Sequence, residues 1–551
     1  MLSRKGEIMY GQMMDRPLLL SAILRHADSH HPNQEIVSIT ADQPLHRYTY
    51  AQAFARARKL ANALTRLGCS RSDRLGTLAW NDFRHFEIYY GVSCAGFVCH
   101  TINPRLFEDQ ICFIVNHAED RVLFLDPAFV PLVEKLAPRL ESIERYIVLT
   151  DDAHMPATKL PNAQSYESLI EPESDLFEWP DLDEREASAL CYTSGTTGDP
   201  KGVLYSHRSM VLHTYAGALP DAFNLSAWDV VMPVVPMFHV NAWAIPYTTA
   251  MVGAKLVLPG PKMGDPQTLQ SLIESERVTF AAGVPTVWQG LLAYLEASGK
   301  RIDSLKRLIS GGSAVPPALM RQFKDRHGVQ VVHAWGMTET SPIGTICTLT
   351  PEIEKLPPEE QEQILIKQGR TIFGIELKVT GEDGREVPHD GKTFGALKVR
   401  GPWVASGYYK RSGDPVFEPD GWFKTGDVAT ICPRGYMQIT DRTKDVIKSG
   451  GEWISSIALE NIAMAHPAVA QAAAIAVPHP KWQERPLLVV ACKPGASVSE
   501  RELLDFFVGK VAKWWIPDEV VFMDKLPLTA TGKLSKLQLR EQLAGYKLKE
   551  A

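Results

Sequence analysis

Short apolar runs alternate along this chain with longer segments whose apolar residues recur every three or four positions. Runs bounded by turn residues read as buried strands at Ala187 to Tyr192, Asp229 to Phe238, Ala254 to Leu258, Val278 to Gly283, Leu305 to Ser310 and Val329 to Ala334. Val284 to Ala297 and Pro316 to Arg326 have helical spacing between them. The alternation predicts an α/β fold built on helix-covered, mostly parallel sheets. Leu18 to Leu24, enclosed by Arg16 and Arg25, is too short for a membrane span and unlike a signal peptide, and it reads as an amphipathic helix lying on the domain. No other apolar run reaches the length of a transmembrane segment, so the expectation is a cytoplasmic protein, with peripheral membrane contact left open.

Beyond Asp441-Arg442-Thr443-Lys444 the pattern changes to that of a small α+β module. Ile457 to Ala465 and Glu500 to Ala512 read as helices there, and Ala470 to Val477 and Leu487 to Cys492 as strands. Two domains follow, a large one over 1–440 and a small one over 441–551, with a cleft between them as the expected ligand site. Asp151 to Glu186 and Pro351 to Gln368 are polar or proline-containing and read as long surface excursions.

Composition narrows the functional classes. The 551 residues, 45% hydrophobic and 22% charged, suit a large enzyme, and a net charge of -6 offers no broad basic surface to nucleic acid. Eight cysteines are scattered with no C-x-x-C pair, and Cys94, Cys99 and His100 lie in an apolar stretch, so buried thiols in a reducing cytosol are expected.

The chemistry concentrates after the strand at 187–192. Thr193, Ser194, Gly195, Thr196, Thr197 and Gly198 are followed by Lys201. Small residues bring backbone N-H groups close to an anion, hydroxyls add donors and lysine adds charge, which together suit a polyphosphate. A Walker P-loop is excluded, because Pro200 and Gly202 stand where glycine and a hydroxyl are required. Trp335-Gly336-Met337-Thr338-Glu339-Thr340 ends another predicted strand, where α/β sheets bind ligands. Glu339 can hold a phosphate-bridging magnesium ion and Thr338 can donate to a phosphate oxygen. Val315 excludes a nucleophile elbow at Gly311-Gly312-Ser313-Ala314. Asp427, in G-W-F-K-T-G-D, has the two oxygens that a ribose diol needs.

These strings, with P-L-T-A-T-G-K at 527–533, resemble the adenylate-forming superfamily of acyl-CoA synthetases, luciferase and peptide-synthetase adenylation domains over nearly the whole chain. The resemblance implies ATP, Mg2+ and coenzyme A as the small molecules used. It makes residues 193–198 and Lys201 the phosphate loop, with Thr193 and Glu339 beside the metal. Gly311, Gly312, Ser313 and His333 to Thr338 become the AMP side. Asp427 and Arg442 become ribose or phosphate contacts, Lys444 the hinge, and Lys448, Gly450, Gly451 and Trp453 the face used in thioester formation. Lys533 becomes the catalytic lysine that neutralises charge as a carboxylate attacks the α-phosphorus.

M-F-H-V-N-A-W at 237–243 is similar to fatty acyl-CoA synthetases, so His239, Val240 and Trp243 are acyl-pocket candidates. The expected activity is a medium- or long-chain fatty acid CoA ligase acting through acyl-AMP. Alternatives are a CoA ligase for a thioether acid such as 3-methylthiopropionate, whose sulfur replaces a methylene, a ligase charging a carrier protein, and a non-catalytic acyl-nucleotide-binding protein. The resemblance also suggests a homodimer built on the large domain.

Overall fold

The structure is a computed structural model that describes residues 9–193, 199–449, 452–528 and 534–548. Ser194 to Gly198, Gly450, Gly451 and Lys533 lie outside the described residues, as does the side chain of Trp453. Two large sheets carry most of the chain. In the nine-stranded one, Glu35–Ser38, Lys255–Leu258, Val230–Pro233, Phe280–Gly283, Arg307–Ser310 and Gln330–Gly336 run parallel, and antiparallel strands border them. In the seven-stranded one, six parallel strands end in Ala187–Tyr192, which pairs antiparallel with Gly202–Ser206. The glycine- and hydroxyl-rich segment falls in sequence between that last pair.

Helices cover both sheets, and their apolar faces decide where they sit. Leu20–His30 buries Leu20, Ile23, Leu24 and Ala27 on one stripe, the amphipathic helix expected near the N-terminus. Tyr50–Arg66 starts on a Thr49–Gln52 capping box and packs Phe54, Leu60 and Leu64 into the same core. Among the described residues no helix is long and apolar enough to cross a membrane. All eight cysteines are free and none is exposed, as expected of core thiols.

A four-stranded antiparallel sheet, Glu376–Thr380, Gly395–Arg400, Phe423–Ile431 and Met437–Arg442, lies between these sheets and the C-terminal module in the sequence. The small C-terminal domain has its own sheet, in which Val469–His479 and Gln483–Cys492 form the central hairpin. The chain passes from one sheet to the other through 443–446.

Some element boundaries differ from the sequence reading. The strand expected over Asp229 to Phe238 stops at Pro233, because Pro233 and Pro236 have no N-H to continue the ladder, and the following residues turn into the site. The helix expected over Glu500 to Ala512 ends at Asp505, ahead of Gly509 at φ +78°. Asp151 to Glu186 is not simply a surface excursion. It contributes the edge strand Ala163–Ser165 and the short helix Tyr166–Ile170, whose Tyr166 ring is fully buried. Pro351 to Gln368 likewise contains the helix Pro358–Leu365.

Candidate active site

Thr193 and Lys201, which flank the segment expected to be the phosphate loop, are bonded to each other. The Thr193 N-H donates to the Lys201 carbonyl at 2.9 Å, and the Lys201 N-H lies 3.4 Å from Thr193 Oγ1. Lys201 does not extend freely into solvent. Its Nζ sits 2.9 Å from Asp414 Oδ2 and 4.6 Å from the centre of the Tyr408 ring. Burial raises the Asp414 carboxyl, but the Lys201 hydrogen bond, the Val416 N-H and the Lys201 and Arg411 charges together outweigh it and hold the group below its ordinary value.

Tyr408 links this cation to the second motif. Its hydroxyl donates to Glu339 Oε1 at 2.7 Å, and Glu339 is buried in the single turn Thr338–Thr340 that follows the strand Gln330–Gly336. Burial raises the Glu339 pKa, and the Tyr408 hydrogen bond opposes that rise. Tyr205 donates to the Thr338 carbonyl at 2.7 Å and fixes the same turn from the strand beside the phosphate loop. Gly336 is required where the strand enters the turn, since a β-carbon there would lie 1.8 Å from the Pro342 carbonyl oxygen.

Asp427 lies in Phe423–Ile431, directly opposite Arg442 in the antiparallel register. One carboxylate oxygen accepts from Trp335 Nε1 at 2.9 Å and the other meets Arg442 Nε at 2.7 Å. Each oxygen keeps another lone-pair direction, which is what a ribose diol would use. Trp335 therefore belongs to the site through its indole, not only through the backbone. His333 is buried, its Nδ1 3.1 Å from the Ile366 carbonyl and its Nε2 3.4 Å from Gln368 Nε2, and burial pushes its pKa down to about 4. A neutral ring is set there. Gly311 permits close approach of Ala334: a β-carbon would lie 2.8 Å from the Ala334 carbonyl oxygen and 3.4 Å from the Trp243 ring edge. The Trp243 ring edge thus lies near the Gly311 backbone. Gly312 follows at φ +80°, and Ser313 continues the bend.

The acyl-side segment has an unusual backbone. Val240, Asn241, Ala242, Trp243 and Ala244 all have φ between +46° and +59°, a left-handed turn without glycine. Such conformations cost about 1–2 kcal/mol per residue. Buried polar bonds hold the approach to this turn: Asn81 accepts from the Met237 N-H at 2.7 Å and donates to the Pro233 and Val235 carbonyls, and Tyr89 donates to the Met237 carbonyl. His239 is half-buried at the start of the turn.

On the small-domain side, Ser456 donates to Asp441 from both its N-H, at 2.6 Å, and its hydroxyl, at 2.9 Å. Lys536 Nζ meets Ser456 Oγ at 2.5 Å and Glu460 Oε1 at 2.7 Å. Burial would depress the Lys536 pKa, but the Glu460, Asp441 and Asp445 carboxylates raise it. Lys444 is held below its ordinary pKa by burial, and Arg540 reaches both its carbonyl and the Asp445 carboxylate. Lys448 lies in Ile447–Ser449, directly across from Trp453 in the register, and its backbone N-H donates to Glu484.

Among the described residues, Thr193, Lys201, residues 333–340, Tyr408, Asp414, Asp427 and Arg442 therefore bring two buried carboxylates, Glu339 and Asp427, and two cations together. The AMP-binding enzyme family matches residues 24–409, and its C-terminal domain matches residues 458–533. The chain belongs to this AMP-binding, adenylate-forming family. Among its relatives, the 3-methylmercaptopropionyl-CoA ligase of Ruegeria lacuscaerulensis is 53% identical, covering 97% of this chain and 99% of that protein. The medium-chain-fatty-acid–CoA ligase of Ectopseudomonas oleovorans is 48% identical over 98% and 99% of the two chains. The crystal structure of the anthranilate CoA ligase AuaEII in complex with anthranoyl-AMP superposes with a TM-score of 0.85 at 25% identity, covering 96% of this chain and 99% of that one. Within the AMP-binding family this protein is an AMP-forming acyl-CoA synthetase.

Tyr408, Asp414, Tyr205 and Gln368 were not singled out in the sequence. A tyrosine after glycine in Ser406-Gly407-Tyr408 carries no distinctive signal, and only folding brings it to Glu339.

Proposed function

We propose that this synthetase joins a short thioether acid of the 3-methylthiopropionate type to coenzyme A, with medium-chain fatty acids as the second reading. The observation that carries the order is the 53% identity to a 3-methylmercaptopropionyl-CoA ligase against 48% to a medium-chain fatty acid ligase, each over nearly the full length. The sequence reading put fatty acids first. The motif at 237–243 suits both classes because a thioether sulfur and a methylene have similar shapes, and about 0.8 kcal/mol per buried methylene gives little discrimination.

The reaction has two steps at one site. In the first, the acid carboxylate attacks the α-phosphorus of ATP and pyrophosphate leaves. Lys201 and the loop 193–198 bind the departing phosphates, Asp427 and Arg442 fix the ribose, and Lys533 offsets the charge of the attacking and leaving oxygens. The buried Glu339 carboxylate has one oxygen tied to Tyr408 and one left for a cation, a donor set that suits Mg2+, which binds through one carboxylate plus phosphates. When bound there, the ion would neutralise phosphate charge. In the second step the CoA thiol attacks the acyl carbonyl and AMP leaves. The small domain, whose boundary we place after residue 440, turns about Lys444 so that Lys448, Gly450, Gly451 and Trp453 replace Lys533 at the site. His239, Val240 and Trp243 line the acid.

Pyrophosphate and AMP release should be measured across straight-chain acids and 3-methylthiopropionate, with and without CoA. CoA-dependent AMP release that is highest with the thioether acid supports the reading; a maximum at a medium-chain acid makes the second reading the answer. Pyrophosphate without thioester would instead indicate a carrier-protein acceptor. Lys533→Ala is expected to lose adenylation, by a hundredfold or more on the order-of-magnitude scale of lost transition-state charge contacts, while still converting supplied acyl-AMP to thioester. Equal loss of both half-reactions would contradict the two-state mechanism.

A further inference from the structure

The C-terminal end of the helix Leu20–His30 carries three imidazoles that the ligase reaction does not use. His26 and His30 are four positions apart and share one face of the helix, and their rings stack with centroids 4.5 Å apart and planes 20° from parallel. His31 follows as the C-cap, and its ring meets that of His26 edge-on at 5.5 Å. His26 and His30 are exposed and His31 is half-buried, so solvent reaches the cluster.

The protonation pattern makes these rings lone-pair donors to a cation. Exposed histidines elsewhere pair with acids, His154 with Asp151 and His389 with Glu386, but among the described residues no carboxylate meets the rings at 26, 30 and 31. Burial lowers the His31 pKa, and charge on His26 and His30 lowers it further, which leaves that ring neutral at pH 7. His30 Nδ1 lies 3.0 Å from the His26 carbonyl oxygen, which can only accept, so the ring proton is on Nδ1 and Nε2 presents its lone pair. A histidine that binds a metal almost always donates its second ring N-H to such a group. His31 is seated against Gly253, where a β-carbon would fall 2.3 Å from Nδ1, with Cγ and Cε1 the next nearest atoms. Nε2 is thus its nitrogen farther from that backbone.

We propose that His26, His30 and His31 form a surface site for a transition-metal dication such as Zn2+, bound through imidazole nitrogens with water completing the coordination. Imidazole suits zinc, copper and nickel, whereas magnesium takes oxygen ligands, so this site does not draw on the ion that accompanies ATP. With Zn–N bonds of about 2.0–2.1 Å, nitrogens of a tetrahedral site lie about 3.3 Å apart, and the exposed His26 and His30 rings close that far by turning about their side-chain torsions. Through His31, the ion would pin the helix end to Gly253, the C-cap of the helix Ile245–Val252 that follows the left-handed turn.

One other group of the described residues, Asp42, Asp151 and His154, has ligand atoms within 4.8 Å of one another, but Asp42 is paired with the buried Arg84 and His154 with Asp151. The test therefore includes both groups. The untagged full chain, stripped with EDTA and dialysed, is titrated with ZnCl2 against a chromophoric chelator, without ATP and with Mg2+ in excess. Wild type, His26→Gln, His30→Gln and His154→Gln are compared; glutamine is a good helix former, so the exposed positions 26 and 30 accept it without unfolding. The wild type is expected to bind one Zn2+ per chain, with affinity roughly tenfold or more weaker in His26→Gln and in His30→Gln and unchanged in His154→Gln. Zinc should also raise the apparent Tm of the wild type and not that of His30→Gln. Absence of zinc binding, equal affinity in the wild type and the variants at 26 and 30, or loss in His154→Gln alone would overturn the site.

Discussion

Tyr408 gathers two charges that the motifs list separately. Its hydroxyl holds Glu339 and its ring carries the Lys201 ammonium, which is also paired with Asp414. Removing the hydroxyl in Tyr408→Phe takes away the contact that opposes the effect of burial on Glu339, so the Glu339 pKa should rise further. The acid limb of the pH profile for pyrophosphate release should then move to higher pH, with the half-saturating magnesium concentration raised several-fold. A pH and magnesium titration of the variant checks both; an unchanged acid limb would show that Glu339 does not govern it. At this scale, residues inside contiguous strings were legible: Lys201, Glu339 and Asp427 were each marked by their neighbours in sequence. Tyr408 and Asp414 were not, because their partners lie 69 and 213 residues away and only the fold supplies the pairing.

The helix Lys536–Gln542 begins three residues after Lys533; Arg540 fastens it to the chain crossing between the sheets, and Lys536 to the helix Ser456–Met464. Lys536→Ala would leave Glu460 and Asp441 buried without their shared cation, a change that typically costs about 3–5 kcal/mol. For a domain of this size that corresponds to a fall in apparent melting temperature on the order of 10 °C. Lys536→Arg should recover much of it. Calorimetry of both variants decides, and a Tm within error of the wild type for Lys536→Ala would deny the cluster its structural role. Elements were legible where one signal dominated, as for Ala187–Tyr192, found with the boundaries read from the sequence. They were misread where one side of the pattern was silent. Apolar residues continue past Asp505, so periodicity extended that helix through a glycine turn, and the polar stretch before Glu186 concealed a buried tyrosine.

Across the whole molecule, buried neutral histidines set a pH limit. Burial pushes His85, His207 and His333 down to about 4 and His213 to about 3, while the same residues titrate near 6.5 in an unfolded chain. Between those values the unfolded state binds more protons, so stability is complete above about pH 6.5 and declines as pH falls toward 4, by up to about 1.4 kcal/mol per pH unit for each histidine. Apparent Tm should therefore drop between pH 7.5 and 5.5, and substituting His213 with an apolar residue of similar size should flatten the slope. The α/β class and the presence of a small C-terminal domain were legible because both rest on repeated local patterns. The order of strands within the sheets was not, since it depends on which distant runs meet.

One such meeting is that of Glu35–Ser38 with Lys255–Leu258, where the Lys255 ammonium reaches Glu35 across 220 residues of chain. A ribosome adding about 5–20 residues per second would need roughly ten to forty seconds to supply that partner. For all of that time the strand has only its antiparallel neighbour His46–Thr49 on one edge, and its other edge stays unpaired. Synthesis of this protein should thus depend on holdase chaperones early in translation, and slowing elongation would lengthen the exposure of its N-terminal end rather than help it fold.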